Sequence, residues 1–175
     1  ISAEYMSISG SIEVEVYCSY VSGTDSLAVG QLSPNMRWVG AYGENNEMVD
    51  FSMEEFHCSE KYARYTTVNF IIGTGWCGFC PEFVRYVNSI HPELDAAGGL
   101  VVYAEVQDKQ RNSATNEDAN DIINGYFEMG GVTSNGPGIR IGDGETMPTE
   151  MTFQRSVEAY PSAIVVRRRD LKTIA

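Results

Sequence analysis

No stretch of this 175-residue chain approaches the roughly 20 consecutive apolar residues that a bilayer-crossing helix needs, so a helical membrane span is excluded. Basic residues are scarce: 12 Lys and Arg stand against 24 Asp and Glu, a formal net charge of -12. A field of that sign repels phosphate backbones and anionic lipid surfaces, which argues against nucleic-acid binding through a basic patch. The one basic run, Arg167-Arg168-Arg169, is too short to reverse it and reads as a solvated turn. Only two histidines are present, His57 and His91, and internal repeats and low-complexity tracts are absent. No charged segment followed by an apolar one opens the chain. Because it begins at Ile1 without an initiator Met, a removed leader, with or without a lipid anchor, is compatible with it. What is there, 43% hydrophobic and 21% charged residues, is the composition of a soluble domain with a real core plus some elaboration.

The character of the chain changes near residue 60. Residues 1–64 read as a β-rich extension and hairpin, and residues 65–175 as the core of the domain. Ile12, Val14, Val16 and Cys18 alternate with polar neighbours in the period-2 pattern of a half-buried strand. Runs at 36–42 and 47–51 flank Gly43-Glu44-Asn45-Asn46, a sequence suited to the positive φ of a hairpin turn. Ser52 and Glu55 have the spacing of a capping box and predict a short helix over 53–58. Residues 65–72 are aromatic and β-branched, as in a strand covered on both faces.

After Cys80, Phe83, Val87, Ile90 and Leu94 trace one stripe of a helix that Pro92 should kink or end. Residues 100–106 supply the next apolar strand, which implies a right-handed crossover and a parallel pair. A second helix is expected over 115–130, with Thr115 as N-cap and Glu117, Asp118 and Asp121 against the positive end of its dipole. Residues 131–149, rich in glycine and turn formers, read as an inserted loop. Residues 162–167 read as a strand, with another starting at Leu171.

Four cysteines fall as one distant pair, Cys18 and Cys58, and one close pair, Cys77 and Cys80. In a cytosolic protein the distant pair would more often be two buried thiols, and in an exported one a structural disulfide; the disulfide is the expectation for this chain. A CxxC spacing can ligate zinc, but structural sites want a second such pair or a spaced Cys-His pair, and His57-Cys58 is adjacent. No metal is expected. The redox reading has a reason at each position. The segment Trp76-Cys77-Gly78-Phe79-Cys80-Pro81 lies between a buried strand and an amphipathic helix. Helix-terminal N–H groups favour the thiolate of Cys77, and Cys80, one turn on and turned inward, is the resolving thiol. Trp76 would shelter the pair and offer a partner an apolar platform.

These residues resemble the thioredoxin superfamily, and within it the exported TlpA-like redoxins, over about residues 29–175. The resemblance implies an α/β, thioredoxin-like fold, a central mixed β-sheet flanked by helices, here with an N-terminal β extension. Pro161, after Tyr160 and before a strand, matches the family's cis proline facing the dithiol. Gly78, Phe79, Tyr160 and Pro161 would then join Trp76 in supporting substrate. The buried acid that thioredoxins carry six residues before the first cysteine is replaced by Ile71, so the proton acceptor must differ; Glu82, Glu105 and Asp108 are the candidates. Phe79 departs from the common Cys-Gly-Pro-Cys form, and the family fold usually continues past Pro161 to a full strand and closing helix, whereas this sequence stops at Ala175.

The function so implied is thiol–disulfide exchange, with no organic cofactor beyond the Cys77–Cys80 disulfide itself. Its partners would be exported clients with disulfides or thiols and a membrane electron carrier. The protein would be extracytoplasmic in a bacterium, and a monomer. Three alternatives use the same segment. Thr74, three residues before Cys77, fits the peroxiredoxin Thr-x-x-Cys, although the proline expected four residues earlier is Phe70. Cys77 and Cys80 could hold Cu(I), as in Sco-type chaperones, although those use wider spacing and a downstream histidine. A permanently closed disulfide in a binding domain is the third.

Overall fold

The computed structural model describes residues 18–20, 26–131 and 136–175. The strand read over residues 11–18 therefore lies outside the described residues except for Cys18. The hairpin forms from β1 (Arg37–Tyr42) and β2 (Met48–Ser52), paired antiparallel. Asn45 and Asn46 supply its left-handed residues, at φ 62° and 59°, a region asparagine tolerates better than most side chains. Gly43 stays in the extended region. Helix α1 (Met53–Cys58) starts where Ser52 accepts a hydrogen bond from the Glu55 N–H at 3.0 Å.

β3 (Thr67–Gly73) leads through the CxxC turn into α2 (Cys80–Ser89). Pro92 does end the helical run: a separate α3 (His91–Ala96) begins around it, so the single stripe expected across this region is split. α2 buries Cys80, Val84 and Val87, with Phe83 partly covered, while Ile90 is the joint and Leu94 belongs to α3. β4 (Gly99–Glu105) returns parallel to β3, in register from Thr67 opposite Gly99 to Gly73 opposite Glu105. α4 (Asn116–Met129) carries a full capping box, in which Thr115 accepts from the Asp118 N–H and the Asp118 carboxylate accepts from the Thr115 N–H.

The inserted loop expected at 131–149 is corrected by β5 (Ile139–Gly142), which lies parallel to β4 and antiparallel to β1 with all four residues buried. Four residues are too few to show periodicity, and an arginine in their midst masks the apolar signal. Arg140 is nonetheless fully buried. Its guanidinium donates to the carbonyls of Gly43, Gly136 and Gly138 and lies over the Phe127 ring. β6 (Ser162–Arg167) pairs antiparallel with the outer side of β3. The tail then folds back on β6 through single bridges such as Val166 to Thr173, rather than a regular strand.

The result is one mixed sheet in the order β2-β1-β5-β4-β3-β6, to which the hairpin contributes two outer strands. Strand alternation divides the core. Val68, Phe70 and Ile72 of β3 and Leu100, Val102 and Ala104 of β4 face an aromatic cluster that includes Trp38, Phe51 and Phe153. Ile71, Val101 and Tyr103 face the opposite layer, made with α2 and α4. Cys18 is tied to the end of α1 by a disulfide to Cys58, 40 residues on, which the chain-entropy model values at about 4 kcal/mol.

Candidate active site around the Cys77–Cys80 disulfide

The parity that sorts the core also sets the site. Gly73, at the end of β3, is on the α2 and α4 side with Ile71, and Glu105, its partner in register at the end of β4, is on that side with Tyr103. Because Gly73 has no side chain, the Glu105 carboxyl and the Cys80 sulfur share the space in front of it. A Cβ there would stand 3.0 Å from Glu105 Oε1 and 3.3 Å from Cys80 Sγ. A carboxyl on the neighbouring strand thus lies beside Cys80, whereas the position at which the resemblance expects an acid is Ile71.

Beyond Gly73 the chain turns tightly. The Thr74 carbonyl accepts from the Cys77 N–H at 3.0 Å and from the Tyr126 hydroxyl at 3.4 Å. Gly75 donates to the Gln107 carbonyl at 2.8 Å and presses so close to the next loop that a Cβ would lie 2.8 Å from the Lys109 backbone nitrogen. Cys77 and Cys80 are joined as a disulfide. α2 begins at Cys80, with Phe79 as its N-cap, so Cys77 sits in the turn just ahead of the helix rather than inside it. The two sulfur-bearing residues are unequal in access: Cys77 keeps 7% of its surface exposed and Cys80 1%. Gly78 and Phe79 are at the open surface, Phe79 with 75% of its surface exposed, and nothing would crowd a side chain at Gly78.

Three residues hold Trp76 in place over this turn. Its indole N–H donates to Gln107 Oε1 at 2.9 Å, Arg111 stacks on its face at 4.6 Å, and Tyr160 meets it edge-on at 6.0 Å. Arg111 is carried in a left-handed backbone position, φ 72°, by a loop that Asp108 organises. Asp108 accepts from the N–H groups of Gln110 and Asn112 and from the Asn112 amide. Tyr160 and Pro161 are joined by a cis peptide bond, and Ser162 pairs with Ile72, so they lie beside the start of the turn. Tyr160 packs on the cluster that contains both cysteines.

The three acidic candidates separate. Glu105 is 1% exposed, its Oε2 has no hydrogen-bond partner, and burial holds its carboxyl well above the usual range. Asp108 is drawn the other way, below the ordinary value by its hydrogen bonds to Asn112, and is occupied in shaping its loop. Glu82 lies on the exposed face of α2. Of the three, Glu105 has its carboxyl beside the Cys80 sulfur and shifted by burial toward its neutral form. Tyr126, whose hydroxyl is pushed above its normal range by burial and by the nearby Glu105, and Thr74, whose buried hydroxyl has no partner, complete the polar lining behind the sulfurs. Gln107, Arg111 and Tyr126 were not singled out from the sequence for this site; no spacing links them to the CxxC, and only the β4–α4 loop and the face of α4 bring them there.

No protein-family model matches the chain, and no curated protein matches it. Solved structures do. The thioredoxin domain of a thiol-disulfide oxidoreductase from Bacteroides vulgatus is similar at a TM-score of 0.55 and 13% identity, over 86% of this chain and 88% of that one. A thioredoxin from Wuchereria bancrofti is similar at 0.52 and 15%, over 85% and 84%. The mitochondrial 2-Cys peroxiredoxin of Plasmodium falciparum is similar at 0.57 and 10%, over 85% and 80%. The chain therefore has the thioredoxin fold, in the company of thiol–disulfide oxidoreductases and redoxins, with a Cys77–Cys80 disulfide at the end of β3. No helix among the described residues is long and apolar enough to cross a membrane.

Proposed function

We propose that this protein is a thiol–disulfide oxidoreductase in which Cys77 exchanges with disulfides or thiols of exported client proteins and Cys80 resolves the mixed disulfide. The observation that carries it is the graded burial of the pair, with Cys77, next to Trp76 in the chain, the more accessible residue and Cys80 enclosed beside Glu105. In the reducing direction the Cys77 thiolate attacks a client disulfide, and one client sulfur leaves as a thiolate that takes a proton from solvent. Glu105 in its anionic form, present above its raised pKa, then takes the Cys80 proton as Cys80 attacks Cys77 Sγ, and passes that proton to the second client sulfur as it leaves. The enzyme is left oxidised and the client has gained two electrons and two protons. In the oxidising direction the same steps run backwards and Glu105 returns the proton.

Trp76, Phe79 and Tyr160 offer the client aromatic surface beside the dithiol, the residue types enriched at docking surfaces. Gly78, at the open surface, and Pro161, in the cis bond beside the start of the turn, would border it. An extracytoplasmic setting is supported by the Cys18–Cys58 disulfide, a bond that persists where the medium is oxidising. There a membrane electron carrier would recharge the dithiol, with no cofactor besides the cysteines. Copper handling at the CxxC lacks a third donor: among the described residues, the one grouping of three ligating side chains is elsewhere, at Cys18, His57 and Cys58.

Insulin reduction by dithiothreitol should accelerate on adding the protein. Cys77→Ser should abolish the acceleration, and Cys80→Ser should accumulate a mixed disulfide with insulin. Full activity in the Cys77→Ser variant would overturn the assignment.

A further inference from the structure

The second cysteine pair has a neighbour that a purely structural bridge does not require. Cys18 Sγ, Cys58 Sγ and a ring nitrogen of His57 lie within 4.8 Å of one another. His57 Nδ1 is 2.7 Å from the Arg168 carbonyl oxygen. That oxygen can only accept, so Nδ1 carries the proton and Nε2 keeps a free lone pair. The carbonyl is itself anchored, because the Arg168 guanidinium reaches back to the Phe56 carbonyl at 2.7 Å and the Ser59 carbonyl at 3.0 Å, at the end of α1. A histidine whose second nitrogen is fixed by a backbone carbonyl is the arrangement that orients metal-ligating imidazoles.

We propose that reduction of the Cys18–Cys58 disulfide converts this corner into a zinc site, with Cys18 Sγ, Cys58 Sγ and His57 Nε2 as ligands and a fourth position open to water. Two thiolates and one imidazole form a donor set zinc accepts with an open place. The sulfurs must part only to about 3.8 Å, the edge of a tetrahedron with metal–sulfur bonds of about 2.3 Å. Cys18 is exposed and His57 and Cys58 half-buried, so a reductant can reach the bond without unfolding the sheet. An overall charge of -12 favours a cation.

The chemistry balances. A dithiol reductant gives two electrons to the S–S bond and becomes a disulfide, and its two protons pass to the sulfurs of Cys18 and Cys58. Zinc then displaces both protons into solvent. The oxidised bridge and the zinc-bound pair are alternative closures of the same loop, so Cys18 stays tied to the end of α1 in either redox state.

The test uses the full chain, reduced and then freed of reductant without air. Zinc is titrated against a chromophoric chelator, and the four cysteines are alkylated with and without zinc and read by mass spectrometry. The expected result is one zinc per chain, with Cys18 and Cys58 protected while Cys77 and Cys80 react as before. His57→Ala should weaken binding by about tenfold or more, and the oxidised protein should bind none. Equal alkylation of all four cysteines with and without zinc would overturn the proposal, as would protection confined to Cys77 and Cys80, or unchanged affinity in His57→Ala. None of these outcomes depends on whether the Cys77–Cys80 pair acts on clients.

Discussion

Replacing Glu105 by glutamine removes one ionisable group from a fully enclosed place while keeping its shape, and the burial of that group sets both the sign and the size of the effect. The Glu105 carboxyl is raised well above its unfolded value because burial disfavours the anion, and no hydrogen bond to Oε2 offsets this. Between the unfolded pKa, about 4.3, and the higher folded one, the native state holds a proton that the unfolded chain has released. Stability therefore falls as pH rises through that interval, with a slope approaching 1.4 kcal/mol per pH unit for one proton. It is greatest below the lower limit, and above the upper limit the penalty is fully developed.

Glu105→Gln lacks this slope. Its stability relative to the parent, both oxidised and measured by urea unfolding from pH 4 to 8, should be lowest at the acid end. It should rise with pH by about 1.4 kcal/mol per unit across the interval. The same variant should lose about a hundredfold in insulin reduction, the lower end of what a positioned acid–base group contributes, and its rate should lose the corresponding pH dependence. Parallel stability curves for the two proteins would refute the buried-acid reasoning. An unchanged rate with divergent curves would leave Glu105 buried and remove it from the reaction.

Two further substitutions test the frame of the site. Gly75→Ala drives a methyl to within 2.8 Å of the Lys109 nitrogen and 2.9 Å of the Asp108 carbonyl carbon, both backbone atoms, and should destabilise by about 1–3 kcal/mol in thermal unfolding. A loss under about half a kcal/mol would show that the two loops yield freely. Arg111→Ala removes the cation from the face of Trp76, an exposed contact worth about 0.5–1 kcal/mol. It should raise the KM for a protein disulfide with little change in kcat, whereas a fall in kcat alone would place Arg111 in the chemical step instead.

The main elements were legible wherever a local rule speaks loudly. The asparagine-bearing turn, the Ser52 and Thr115 caps, the β-branched run that became β3 and the break at Pro92 each depend on a few neighbouring residues, and each appears where expected. β5 was not legible, since Ile139-Arg140-Ile141-Gly142 looks polar until the carbonyls of Gly43, Gly136 and Gly138 are gathered around the guanidinium. Among the acids, Glu82, Glu105 and Asp108 could not be ranked from spacing. Their difference is one of solvation: the surface of α2 for the first, a sheet interior for the second and a self-bonded loop for the third.

The residues themselves determined where sulfur chemistry could occur, because a CxxC between a buried strand and a helix, followed far downstream by an aromatic residue and proline before a strand, is written in local order. Which acid lies beside those sulfurs was decided only in three dimensions. The in-register pairing of β3 with β4 sets Glu105 opposite a glycine, and the missing side chain leaves room for the carboxyl beside Cys80. Residues 32 positions apart in sequence thus share one strand-to-strand spacing in the fold. That neighbourhood comes from sheet register and exclusion of water, two properties belonging to the folded chain.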